Sequence, residues 1–455
     1  MHNPKLSPLS QLKTLDDRLC DALALGLRRP LGGAPFAAAY LLAAVLGALA
    51  ARMLGGAGAA ESLLFGGVFA LWCAALFGRG PVRLMDALLL GAGLFALFAA
   101  RMAALPVISP DCRDYLIPWA QAMSGMTFGE VMAGRVGDYT VLYQYFVFLI
   151  SRLPLDPVAL YKALSISFEA LLAYSAASLS CLARGEAASP AGKAVFFGAL
   201  ALPTVFLNSA VWAQCDAVYA ALALLGVLLI LKGRPGAGCA ALAISLSLKL
   251  QAVFILPVCA LLLYHRRLSL RHALAALGTL LLIALPALIA GKGIKGVLGV
   301  YLYQMGEYKQ LVLDAPTIYQ LIPGGGLIPD GAASTIGVLL AMGAMCAVLR
   351  LGARSERGSA ALTADVCFAL CIAIPFLLPH MHERYFFLAD LLSLVYAAAH
   401  PRRVYAPAIV LLCSLNGYCA YLFGAPLFPF VPAALLMLAL CAAAAALLLG
   451  DAKRA

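Results

Sequence analysis

Long apolar runs recur along almost the whole chain and are separated by short polar segments. A membrane-crossing helix needs about 20 mainly apolar residues, and twelve runs approach that length. The predicted spans are residues 33–54, 60–79, 84–106, 157–183, 194–210, 212–232, 271–290, 331–350, 360–378, 385–399, 404–423 and 428–449. The pattern predicts an all-α fold, a polytopic transmembrane helical bundle with about 12 full spans.

Basic residues occupy alternate loops between these runs, as the positive-inside rule expects for cytoplasmic loops. They are Arg79, Arg83, Arg184, Lys193, Lys232, Arg234, Arg266, Arg267, Arg271, Arg350, Arg354, Arg357, Arg402, Arg403, Lys453 and Arg454. The polar segment 1–32 lacks the order of a signal peptide. We interpret it as a cytoplasmic segment, and expect both chain termini in the cytoplasm.

Two apolar segments do not fit a simple alternation of spans. Counting residues 139–153 as a span would move Arg184 and Lys193 outside, so this segment is predicted to be a helix on the outer surface. Residues 236–264 have basic loops at both ends and are predicted to form two half-helices with a turn near Lys249. A lysine at the centre of a span would cost about 2.5–3.5 kcal/mol.

Composition supports the membrane prediction, since 64% of the residues are hydrophobic and 12% are charged. The net charge of +11 does not indicate a nucleic-acid partner, because the basic residues lie in short loops. The 13 cysteines are scattered through apolar runs, and no Cys or His spacing is typical of a metal site. No metal ligand and no disulfide framework are therefore predicted.

Polar residues form four clusters on the predicted outer side, where the long loops 105–156 and 291–330 also lie. The clusters are Asp111, Arg113, Asp114, Tyr115 and Trp119; Asn208, Trp212, Gln214 and Asp216; Lys249 and Gln251; and His380, His382, Glu383, Arg384 and Tyr385. Taken singly, each cluster could have a purely structural role: solvated loop carboxylates, interfacial tryptophans or a salt-bridged helix start. Their predicted convergence at one membrane level favours a functional site.

The residue types in these clusters suggest a reaction. Lys249, Arg384 and a protonatable His382 are suited to a phosphate. Asp111 is placed to accept a proton from a hydroxyl nucleophile. Together they suggest transfer of a group from a lipid phosphate to an alcohol. A transporter remains the alternative, since ionisable residues and broken helices also form transport sites.

The order of these motifs resembles that of the GT-C integral membrane glycosyltransferases, in particular bacterial relatives of the GPI-anchor mannosyltransferases. The resemblance covers about residues 84–400. It rests on Asp111 to Trp119, GDYT at 137–140, WAQCDAVY at 212–219, LSLKLQAVFILP at 246–257, DAPTIYQ at 314–320 and MHERYFFLADLLSLVYA from Met381. Asp314 departs from the family pattern, which has Asn there.

The resemblance implies roles for individual residues. Asp111 would be the catalytic base, with Asp114 as the competing candidate. Lys249, Gln251, His382 and Arg384 would bind the donor phosphate. The residues expected to bind substrate or support the site are Trp119, Trp212, Gln214, Asp216, His380, Glu383 and Tyr385.

The implied activity is an inverting transfer of a hexose, mannose by family likeness, from a polyprenyl-phosphate donor. The acceptor hydroxyl would belong to a glycan, a lipid or a protein at the outer face of a bacterial plasma membrane. No cofactor is required, and metal dependence is left open. The expected organisation is a cytoplasmic segment (1–32), two additional spans (33–82), the catalytic module (83–400) and C-terminal spans with a short tail (401–455). A flippase and a non-catalytic relative that presents lipid-linked sugar are the alternatives.

Overall fold

The computed structural model describes residues 34–77, 84–137, 139–187, 189–306, 308–322, 329–354 and 358–454. Within these ranges the chain is helical apart from loops and two strands of two residues each. The predicted all-α class is therefore confirmed. The predicted cytoplasmic segment 1–32, together with Arg79, Arg83 and Arg357, lies outside the described residues.

The chain divides into two compact units after Ala103. The described helices of the first unit are α1 (Ala34–Gly55), α2 (Ala59–Phe77) and α3 (Leu84–Ala103). α1 and α2 approach closely at Gly66, where a Cβ would lie 2.4 Å from the backbone oxygen of Ala44. α3 packs on both. The predicted domain boundary at residue 83 lies before α3, whereas the structure groups α3 with the first two helices.

The second unit holds the remaining elements. They are α4 (Ile117–Ser124), α5 (Phe128–Ala133), α6 (Val141–Arg152), α7 (Pro157–Arg184), α8 (Pro190–Ala201), α9 (Pro203–Phe206), α10 (Asp216–Leu231), α11 (Pro235–Leu248), α12 (Val258–Tyr264), α13 (Leu270–Ile289), α14 (Gly293–Gly306), β1 (Val312–Leu313), α15 (Asp330–Arg354), α16 (Ala360–Leu377), β2 (Met381–His382), α17 (Phe387–Ala399), α18 (Tyr405–Phe423) and α19 (Phe430–Arg454).

Seven helices in the described part of the chain are long and apolar enough to cross a membrane. The count becomes eight if α8 and the segment Pro203–Val211, bent by 46°, form one span. Other apolar helices are shorter. α10 has 16 residues, which is about 24 Å at 1.5 Å per residue, less than the hydrocarbon core of about 30 Å. A membrane-embedded bundle is supported, while the number of twelve stays a prediction.

Helix ends follow local sequence signals. Asp156 caps α7 by accepting from the Ala159 N–H, with Pro157 in the first turn and the left-handed Gly185 after the last one, as helix termini favour. Serines precede two further long helices, Ser269 before α13 and Ser359 before α16.

Helix irregularities lie beside the polar clusters. Two π-helical turns occur in the described residues, Cys112–Leu116 and Leu207–Val211, and such turns frequently mark functional sites. α11 ends before Lys249, whose backbone is extended, at the position where the sequence predicts a turn. Cys239 and Cys259, on either side of this break, line one apolar cavity.

Candidate functional site

The Asp111 carboxylate is held by two side chains from distant parts of the sequence. Gln214 Nε2 donates to Asp111 Oδ2 over 2.5 Å, and the Tyr421 hydroxyl donates to Oδ1. The Ser109 hydroxyl donates to the backbone oxygen of Trp212 over 2.9 Å, which ties the two loops together. The Asp111 side chain is only partly buried. It is therefore fixed in position and still accessible.

Trp212 lies between this carboxylate and the basic residues. Its indole is fully buried and stacks on the Tyr421 ring, with centroids 4.5 Å apart and planes at 19°. Tyr418 meets it edge-on at 5.6 Å. The Arg384 guanidinium lies 4.9 Å from the centroid of the indole, within cation–π range. Because Tyr421 also binds Asp111, one stack of rings joins the carboxylate to the guanidinium.

Buried charges form a balanced network beside Trp212. Asp216 is fully buried; its Oδ1 pairs with Lys249 Nζ at 2.7 Å, and its Oδ2 accepts from Asn208 Nδ2 at 2.7 Å. Arg384 Nε lies 4.0 Å from the same Oδ2, and Arg384 Nη1 pairs with Glu383 at 2.5 Å. Two cations thus face two carboxylates, which is how a buried charge cluster becomes tolerable.

The network leaves several buried polar nitrogens without a hydrogen-bond partner. Among the described side chains these include Trp212 Nε1, Arg384 Nε and His382 Nε2. The first two are obligate donors, and the third is a donor in one tautomer or when protonated. Buried donors are nearly always satisfied in folded proteins. Trp212 Nε1 and Arg384 Nε lie together, because the Arg384 guanidinium is over the indole, and this pair is suited to an anionic ligand.

His382 is enclosed by aromatic rings. Its ring centroid is 4.2 Å from that of Tyr308 and 5.0 Å from that of Tyr385. Burial lowers the pKa of His382, and the nearby Glu383 carboxylate opposes that shift. Gln251 lies beside Tyr385. The lowered pKa favours the neutral imidazole, and a bound anion would raise that pKa.

A short parallel ladder positions the loop that carries His382. β1 and β2 pair with Val312 opposite Met381 and Leu313 opposite His382. His380 extends this contact, because its Nδ1 lies 2.7 Å from the backbone oxygen of Gln310 and its N–H donates to Leu311. His380 therefore supports the loop and makes no direct contact with the Asp216 network.

Backbone strain is concentrated in these segments. Four non-glycine residues in the described chain have positive φ: Ala213, Arg266, Asp314 and His380. Left-handed conformations cost roughly 1–2 kcal/mol for such residues, and they cluster at functional sites. Three of the four flank Trp212 or the two strands of the ladder, so the packing holds this site in a conformation that the local chain disfavours.

The remaining predicted residues lie on the accessible side of Asp111. The ring of Trp119 is 5.9 Å from that of Tyr115 and 5.6 Å from that of Tyr139. The Tyr139 hydroxyl donates to Gln214 Oε1 over 3.2 Å. The Asp114 side chain is exposed, whereas the network described above is built on Asp111.

Two residues that shape the site, Tyr421 and Lys162, were not identified from the sequence. Tyr421 binds Asp111, and with Ser414 and Tyr418 it follows helical spacing in α18, a signal that the sequence does contain. Lys162 is fully buried, and its Nζ donates to the backbone oxygens of Ala104, Leu105 and Val107 over 2.6–3.0 Å. It holds the turn that leads to Asp111. An ionisable residue within an apolar run is by itself a functional signal.

In the part of the chain that the structure describes, no group of three or more His, Cys, Asp or Glu side chains could hold a metal ion.

A scan against models of protein families finds no family that matches this chain, and a search of curated proteins finds no similar sequence.

Proposed function

We propose that the protein is an inverting glycosyltransferase of the GT-C type, which moves a hexose from a polyprenyl-phosphate donor to an acceptor hydroxyl. The observation that carries the proposal is the pair of buried donors without a hydrogen-bond partner, Trp212 Nε1 and Arg384 Nε, joined through one ring stack to the accessible Asp111 carboxylate. A phosphate and a hydroxyl would then meet across Trp212. Mannose as the hexose rests on the sequence resemblance alone.

The chemistry needs one base and a site for one anion. Asp111 takes the proton of the acceptor hydroxyl while the hydroxyl oxygen forms a bond to the anomeric carbon. The bond between that carbon and the phosphate oxygen breaks, and its electron pair leaves with the polyprenyl phosphate. Arg384 and Lys249 keep unused N–H donors beside their carboxylate partners, and these stabilise the departing anion. No general acid is required, because phosphate is a good leaving group.

The apolar cavity between α11, α12 and α13 suits the prenyl chain of the donor. Leu246 and Leu256 line it, and they flank Lys249 and Gln251 in sequence. A chain that leaves the cavity past these two leucines would bring its phosphate towards the Lys249 turn. Burial of isoprenoid carbons would contribute about 0.8 kcal/mol per CH₂ group.

The test compares two neighbouring carboxylates. We predict that Asp111→Asn lowers transfer by about 10²–10⁴-fold, because a general base contributes that much, while binding of the donor is retained. Asp114→Asn, at an exposed position, is the comparison variant: it should keep proton transfer, because Asp111 is the proposed base, and any loss should appear as weaker acceptor binding. Purified protein would be assayed with a panel of radiolabelled polyprenyl-phosphate hexoses. Full activity of Asp111→Asn together with loss in Asp114→Asn would reverse the assignment of the base.

The second candidate function is a transporter or flippase for lipid-linked sugar. It is favoured by the buried Lys249–Asp216 pair beside two helix irregularities, a combination used at transport sites. Movement of the lipid-linked sugar between leaflets of proteoliposomes, without any new glycosidic product, would identify this function instead.

A further inference from the structure

We propose that the acceptor is a saccharide, and that its ring lies on an aromatic platform formed by Tyr115 and Trp119 beside Asp111. This inference rests on the proposed function for its role in transfer, and it narrows the acceptor from any hydroxyl to a sugar hydroxyl. Binding of a sugar at this platform can also be measured without transfer.

The spacing of the two aromatic residues along the helical segment places the platform close to the Asp111 carboxylate. Asp111, Tyr115 and Trp119 follow one another at intervals of four residues in a continuous helical segment. In an α-helix, residues four apart lie on one face with Cβ atoms about 5–6 Å apart, and the π-helical turn Cys112–Leu116, with its slightly wider turn, also keeps residues four apart on nearly the same face. A sugar resting on Tyr115 would therefore bring a ring hydroxyl to the Asp111 carboxylate.

Tyr139 and Gly137 pack against the Trp119 ring, whereas the Tyr115 ring remains partly exposed. Tyr139 meets Trp119 edge-on at 77° and stacks on Tyr143 at 4.1 Å. Gly137 lies so close to the indole that a Cβ there would be 2.5 Å from it. The Tyr115 side chain is 50% exposed. One flat ring therefore faces the outside, on a support that cannot easily move.

The flanking side chains favour a sugar over the other acceptors. Arg113 and Asp114 precede Tyr115 in the same helical turn and are both exposed, so charged groups border the platform and are available to the hydroxyl groups of a sugar. An alkyl chain would have to displace water from these charges without replacing its hydrogen bonds. Aromatic faces with polar groups at their edges match the apolar C–H face and polar rim of a sugar.

The test measures binding of neutral methyl hexosides and hexose trisaccharides to the full-length protein in nanodiscs. Saturation-transfer NMR is the readout. We expect contact with the C–H protons of the sugar. Tyr115→Ala should weaken binding by about tenfold, and Tyr115→Phe should bind within about twofold of the unaltered protein, because the ring is kept. Tyr264→Ala, which alters a 65% exposed tyrosine far from Asp111 in sequence, is the control and should bind normally.

The inference is overturned if Tyr115→Ala binds as tightly as the unaltered protein, or if Tyr115→Phe binds as weakly as Tyr115→Ala. It is also overturned if a serine peptide or a long-chain alcohol accepts the hexose and the saccharides do not, an outcome that leaves the proposed transferase intact. Saccharide binding that depends on the Tyr115 ring, in a protein that transfers no hexose from any donor, supports the platform and contradicts the proposed function.

Discussion

At the scale of single residues, the site is governed by how buried charges are compensated. Lys249 is 5% exposed and pairs with Asp216, which is fully buried. Removing one partner of such a pair leaves an uncompensated charge in a medium of low polarity. The same network holds the Arg384 guanidinium over Trp212 and the Lys249 ammonium near the Tyr219 ring, and the proposed phosphate would bind beside Arg384.

We predict that Lys249→Met lowers the free energy of unfolding by about 3–5 kcal/mol, because Asp216 is then stranded with Arg384 at 4.0 Å as its nearest cation. Adding Asp216→Asn should recover most of that loss, since the second change removes the buried charge. Denaturant unfolding of the detergent-solubilised variants measures both effects. A double variant as unstable as the single one would show that the pair stabilises the bundle through packing, not through charge compensation.

At the scale of elements, α18 passes close behind the two loops joined by the parallel ladder. Gly417 is the point of closest approach, because a Cβ there would lie 2.4 Å from the backbone oxygen of Asp314 and 3.0 Å from the Cβ of Glu383. The same helix carries Tyr418 and Tyr421. The position of α18 therefore sets the position of the Asp111 carboxylate and of the loop that holds His382.

We expect Gly417→Ala to destabilise the fold by about 1–3 kcal/mol through overpacking and to weaken donor binding, because the Glu383 loop must shift. Gly278→Ala in α13 is the matched control. A Cβ at Gly278 meets nothing within 4 Å, and alanine there should stabilise the helix by up to about 1 kcal/mol. Thermal unfolding and donor binding would be compared for the two variants, and equal behaviour would contradict the close approach.

At the scale of the whole molecule, the proposal places the site at the outer face of a bacterial plasma membrane, with both termini in the cytoplasm. About twelve spans, a surface helix at α6 and the half-helix pair α11 and α12 would produce this topology. α6 has 12 residues, about 18 Å of helix, which is too short to cross the hydrocarbon core. The basic loops at Arg184, Arg234, Arg266 and Arg402 would then all face the cytoplasm.

Reporter fusions test this topology. Alkaline phosphatase fused after Arg152 should be active, because that loop is expected outside. A fluorescent protein fused after Arg403 should fluoresce, because that loop is expected in the cytoplasm. The reverse result at both positions would invert the orientation and move the candidate site to the cytoplasmic face.

The sequence predicted the parts of this molecule that depend on local pattern. Apolar runs predicted the helices, and the extended backbone at Lys249 lies where a lysine interrupts an apolar segment. The clusters around Asp111, Trp212 and Arg384 were found as separate motifs. Their connection through Tyr421 was not, because a tyrosine in a span looks like ordinary packing until the partner it contacts is known. Long-range pairing of this kind depends on the tertiary fold and leaves only a weak signal in one sequence.

The ladder between β1 and β2 has a mechanical consequence. Each strand has only two residues, too few to be stable alone, yet together with His380 they connect two loops that are far apart in the sequence. The two loops are therefore coupled through backbone hydrogen bonds. A ligand that draws His382 towards it would pull on its ladder partner Leu313 and on the strained Asp314 that follows.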